Sequence, residues 1–155
     1  MIDNVIVLRS ADRYITWVAL ENCVEYFILV QCIGGNNNPM IQKGQELLVF
    51  RRYINAIESL NNIPDYIYAE KKTKDISPDD FRKNLADPDK VIPKVAKIAN
   101  AYKHCIRGSW DKKMNLFEPI AGALNARDIA YDHAVVCDAF RFWSGYLKNP
   151  KEYGK

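Results

Sequence analysis

The chain has 155 residues, enough for one domain with a core of its own and too few for several. With 48% apolar and 26% charged residues its composition is that of a globular protein, which excludes global disorder. The net charge is only +3, yet residues 90–113 hold seven basic groups against one acid and the remainder carries −3. A field concentrated in that way favours an anionic partner more than the overall charge suggests.

The N-terminus does not resemble a secretory leader, because Asp3 stands where basic residues belong and the apolar stretch is short. No uninterrupted run approaches the roughly 18 apolar residues of a bilayer span. The longest, residues 27–33, already contains Gln31. A cytoplasmic protein with no membrane partner is the expectation. Cys23, Cys32, Cys105 and Cys137 are spread singly with no C-x-x-C pair, which predicts free thiols acting as small apolar side chains in helices.

Residues 5–8 fit a short strand or an extension of the first helix. Helix A is predicted from Ala11 to Ile33, with Trp17, Leu20, Val24, Phe27, Ile28 and Gln31 on its inward stripe. Two glycines, three asparagines and Pro39 then end it. Helix B is predicted over residues 45–61, with Leu47, Phe50, Ile54, Ile57 and Asn61 inward and Leu48 and Leu60 widening that face. Pro64 should break or kink it, because proline lacks the amide donor and disfavours helix at Ile63. Another helical stretch is allowed over residues 65–72.

Ser77-Pro78-Asp79-Asp80 reads as a short helix start, with a hydroxyl cap, proline in the first turn and carboxylates at the positive end. Helix C is predicted from Pro93 to Arg107, with Val95, Ile98, Ala99, Tyr102 and Ile106 inward and Gly108 as its left-handed stop. Helix D is predicted over residues 126–147, with Ile129, His133, Val136, Phe140, Trp143 and Leu147 repeating at helical spacing. From about Asn149 the sequence turns polar and a frayed tail is expected. The pattern predicts one all-α domain, residues 1–155: an antiparallel bundle of four long helices plus one or two short ones.

The chemistry concentrates on helix C. At about 100° per residue, Asn100, His104 and Arg107 cluster opposite the apolar stripe, flanked by Lys97 and Lys103, with Lys94 and Lys112 nearby. Neighbouring cations disfavour a further charge on an imidazole and leave it neutral, able to act as a base. Beside fixed positive charge such a ring suits RNA phosphodiester cleavage, where it moves the 2′-hydroxyl proton while Arg or Lys stabilises charge on the phosphate. The bland alternative is a solvated helix face. No phosphate-cradling G-x-x-x-x-G-K-[ST] or G-x-G-x-x-G element is present.

Residues 99–104, Ala-Asn-Ala-Tyr-Lys-His on the third long helix, resemble the HEPN superfamily, helical bundles of about this length. The resemblance implies dimerisation, binding of RNA or a nucleotide and, in catalytic members, metal-independent ribonuclease action at a dimer cleft. Asn100 and His104 match the family's polar and histidine positions. Ala99 stands where the family carries arginine, and relatives of that kind would bind or scaffold rather than cut. Two readings follow: an RNA- or nucleotide-binding HEPN-like homodimer, cutting as a metal-independent endoribonuclease if Asn100, His104 and Arg107 are catalytic, or a non-catalytic protein docking an acidic partner.

His133 and Cys137, four apart on helix D, could join Cys105 and His104 in a metal site. The apolar surroundings of His133 favour a core histidine hydrogen-bonded to a neighbouring helix instead. Glu21 and Glu25 share a face, but no Glu-x-x-His pair accompanies them, so a di-metal carboxylate site is rejected. No nucleophile elbow is present, and no metal or cofactor is assigned.

Overall fold

In a computed structural model, residues 10–33, 38–71, 75–110 and 132–154 are described, with the side chains of 104–110 excepted. Among the described residues the architecture is four long helices and one short one: α1 (Ala11–Cys32), α2 (Pro39–Lys71), α3 (Pro78–Asn84), α4 (Val91–Trp110) and α5 (His133–Lys148). A 3-10 turn, Pro150–Glu152, follows. No strand is present among the described residues; one isolated antiparallel bridge joins Leu85 to Gly154.

The helices form a ring in which α1 packs on α2, α2 on α4, α4 on α5 and α5 on α1. Their contacts fix the directions. Ala11 N–H donates to Glu70 (3.0 Å), Tyr14 stacks on Tyr66, and Glu25 pairs with Arg52, so α1 and α2 run antiparallel. Tyr26 of α1 meets His133 at the start of α5 and Phe27 meets Phe140. The core between the helices holds Ile15, Tyr53, Ile57, Ala99, Val136, Ala139 and Trp143, each at most 1% exposed.

Helix α1 differs from expectation in its phase. Its buried residues are Ala11, Tyr14, Ile15, Ala19, Cys23 and Tyr26, whereas Trp17 and Ile28, placed inward by the sequence pattern, are 56% and 55% exposed. Leu20, Val24 and Phe27 are half-buried and Gln31 is exposed. Two causes act together. A π-helical turn at Ile15–Ala19 interrupts the regular period, and the small side chains Ala19 and Cys23 allow close approach of the neighbouring helices. Helix α1 also reaches a mean hydropathy of 1.2 over 18 residues, so length and composition alone would let it cross a bilayer. Counting only unbroken apolar runs misses this.

Helix α2 runs 33 residues and continues through Pro64, where the sequence predicts a break or kink. Ile63, Pro64 and Ile67 are all buried, and that packing offsets the lost amide bond. The turn before the proline is held by side chains. Ser59 Oγ donates to the Asn55 and Ala56 carbonyls (2.8 and 3.0 Å), and Tyr14 donates to the Ser59 carbonyl (3.1 Å). Ile54, Ile57, Leu60 and Asn61 are buried as predicted, while Leu48 is 40% exposed.

Helix α5 starts at His133, because Asp132 is non-helical and caps it by accepting from Val135 N–H (3.1 Å). The earlier start predicted at residues 126–131 falls outside the described residues, as do residues 5–8, read as a strand or an extension of the first helix, and residues 34–37 of the glycine-asparagine turn. Helix α4 does not stop at Gly108 but continues to Trp110.

The C-terminal tail is not frayed. Tyr153 packs edge-on against Phe142 and Tyr146, and its carbonyl accepts from Ala86 N–H (3.0 Å). The three aromatics offer one another more apolar contact than solvent can, so a polar sequence ends in a docked segment. Gly145 makes room for it: a Cβ there would run into the Tyr153 hydroxyl. Gly145→Ala, which in an open helix stabilises by about 0.5–1 kcal/mol, is therefore expected to release the tail instead. The check is hydrogen exchange at the Ala86 amide, which should lose protection in the variant.

Candidate functional site

Helix α4 begins on a tight turn. Lys90 adopts a left-handed backbone (φ 56°), and both Asp87 oxygens accept from the helix's first amides, Val91 and Ile92, at 2.8 Å. That cap satisfies two orphan donors and puts a carboxylate at the positive end of the helix. Val91, Ile92, Val95 and Ala99 are buried from there onward, with Ile98 and Tyr102 half-buried beside them. Tyr102 lies against Phe50, and burial, then the Glu58 charge, pushes its phenol up. It packs as a neutral ring.

The opposite side carries the predicted residues. Lys94, Lys97, Asn100 and Lys103 are all exposed. None of the three lysines is in an ion pair among the described residues. The helical backbone includes positions 104 and 107, but the side chains of His104 and Arg107 lie outside the described residues, as does Lys112. The structure thus brings four of the seven predicted site residues onto one side of one helix.

Asn100 also borders a cleft of about 440 Å³ between α3 and α4. Leu85, Ile92, Pro93 and Ala96 form its apolar lining, and Lys83 and Lys90 add positive charge. Neither lysine stands out as a site residue in the sequence, although the Arg82-Lys83 pair ending α3 is visible there. Arg82 is not available to a ligand in the same way. Its guanidinium holds Asp65 through Nε (3.2 Å) and Nη2 (2.7 Å), and Nη1 donates to Asn61 (3.3 Å). Asp79 and Asp87 also line the cleft, so its charge is mixed and the net positive face lies along α4 beyond it.

A second cluster sits where α1 meets α5. Tyr26 Oη lies 3.1 Å from His133 Nδ1, and His133 Nε2 lies 3.4 Å from Cys137 Sγ. The expected hydrogen bond from His133 to a neighbouring helix is present. The core position expected for it is not: the side chain is exposed, because Tyr26 and Phe27 flank the ring without covering it. Cys23, Cys32 and Cys137 are free thiols. Among the described residues no group of three or more His, Cys, Asp or Glu side chains is placed to hold a metal ion. No known protein family, curated protein or solved structure matches this chain.

Proposed function

We propose that the chain is a HEPN-like helical protein that binds RNA, or a nucleotide, through the outward side of α4, working as a cytoplasmic homodimer. The observation that carries this reading is the row of exposed lysines, Lys94, Lys97 and Lys103, without carboxylate partners among the described residues and with the amide of Asn100 among them. Phosphates would meet the lysines, and Asn100 can both donate to and accept from a base edge. Binding is favoured over cleavage because Ala99, at the family's arginine position, is fully buried and offers no cation.

The test is a fluorescence-anisotropy titration of labelled single-stranded RNA without metal. Three phosphate contacts on a single strand predict about a twentyfold loss of affinity between 50 and 200 mM salt. Lys94→Glu combined with Lys97→Glu and Lys103→Glu should abolish most of that salt dependence and weaken binding more than about tenfold. Binding of a polyglutamate peptide but not RNA would instead support docking of an acidic protein partner. Cleavage lost in His104→Ala would restore the ribonuclease reading.

A further inference from the structure

We propose that Cys137 is a peroxide-reactive thiol, with His133 as its base and Tyr26 holding the imidazole in place. The proposal is independent of the α4 face and rests on the linear arrangement of Tyr26, His133 and Cys137. A nucleophile, a base within hydrogen-bond reach and a third group fixing the base is the arrangement that activated thiols require.

Both ring nitrogens are engaged, which decides what the cluster can stabilise. Once the imidazole holds two protons, Nε2–H donates to the sulfur 3.4 Å away and Nδ1–H donates to Tyr26 Oη at 3.1 Å. Both donors of the charged ring then have acceptors, and the thiolate has a donor. Tyr26 is a fixed post: it is 2% exposed and packs against Tyr53 with ring centroids 5.6 Å apart. Residues four apart on a helix face the same way, so α5 itself holds sulfur and ring together.

The other described thiols lack one requirement each. Cys23 is fully buried, and burial, then the neighbouring Cys137, pushes its thiol up to about 12, leaving it protonated and out of reach. Cys32 is exposed, but no imidazole stands beside it among the described residues. Of these three thiols, Cys137 alone combines partial access with a base.

The step balances with a hydroperoxide as the only co-reactant. The Sγ proton passes to His133 Nε2, and the thiolate attacks one peroxide oxygen. The S–O bond forms as the O–O bond breaks, and the departing oxygen takes the electron pair and the Nε2 proton, leaving as water from hydrogen peroxide. Sulfur is oxidised by two electrons to the sulfenic acid and the peroxide is reduced by two.

The test exposes the full chain to hydrogen peroxide with dimedone as trap and reads each cysteine by peptide mass spectrometry. Cys137 should be trapped about tenfold faster than the more exposed Cys32, an internal reference in the same molecule. His133→Gln should bring Cys137 down to the Cys32 rate, and added imidazole should restore part of the loss in His133→Ala. Tyr26→Phe should slow Cys137 while leaving Cys32 unchanged, a split that a general loosening of the fold would not give. Equal rates at Cys137 and Cys32 in the wild-type protein, or an unchanged Cys137 rate in His133→Gln, would overturn the proposal.

Discussion

Ala99→Arg, the change that completes the HEPN motif in sequence, is expected to destabilise the protein by about 3 kcal/mol rather than to create a nuclease. Ala99 is fully buried on the side of α4 that also buries Val95, in the bundle core. A guanidinium there adds volume to a packed interior, which alone costs about 1–3 kcal/mol, and it takes a charge out of water. The nearest relief is to swing the head toward Asn100 and Lys103, where it meets like charge. Urea unfolding should show a lower midpoint with an unchanged denaturant slope. An unchanged midpoint accompanied by new RNA cleavage would mean that position 99 can reach the outward face, and the case for binding without cleavage would fall with it.

The apolar stripe of α4 could be read because charged residues fill its other side; periodicity then has one solution, and Val95, Ile98, Ala99 and Tyr102 lie inward as the spacing implies. Helix α1 lacks that contrast. Apolar side chains occur nearly all the way round it, so several stripes fit equally well. Its true phase is chosen by Ala19 and Cys23, which permit close packing, and by Tyr14 and Tyr26, whose hydroxyls find partners on α2 and α5. Those partners are 45 and 107 residues away in the chain, beyond any local window.

The same reason explains Pro64 and the tail. Local rules weigh a missing amide and a polar composition, whereas burial of Ile63, Pro64 and Ile67 and the docking of Tyr153 are settled by distant elements. At the candidate site, four exposed residues on one helix were within reach of a sequence argument. The cleft shared with α3 was not, because it depends on Arg82 reaching back to Asp65 and Asn61 on α2. The pairing of His133 with Cys137 follows from helical spacing, but the contribution of Tyr26 needed the fold.

The alkaline limb of the stability curve should be steep, and two buried groups on α1 contribute most to it, beside smaller upward shifts at Tyr102 and Tyr146. Burial, then the neighbouring Cys137, raises the Cys23 thiol from 9.0 to about 12. Tyr14 rises from 10.0 to about 12, chiefly through burial and against a lowering hydrogen bond from Asn62. In both cases the folded protein holds the proton more tightly than the unfolded chain does. Their contribution is thus complete below about pH 9, where neither group ionises in either state, and is lost as the pH climbs toward 12. Each tenfold difference in proton affinity between the folded and unfolded chain is worth roughly 1.4 kcal/mol. On that scale the two groups together account for at most several kcal/mol of stability lost over the window, with Cys23 the larger share. Ionised Tyr14 would also have no proton to donate to the Ser59 carbonyl in the turn before Pro64. Urea midpoints measured from pH 8 to 11 should fall sharply in the wild-type protein. Cys23→Ala with Tyr14→Phe should start lower at pH 8, by about 1 kcal/mol for the lost hydroxyl bond plus the smaller Cys23 side chain, and then decline far less. If the double variant falls as steeply as the wild type between pH 9 and 11, the alkaline loss comes from elsewhere, and the burial of Cys23 and Tyr14 is not what drives it.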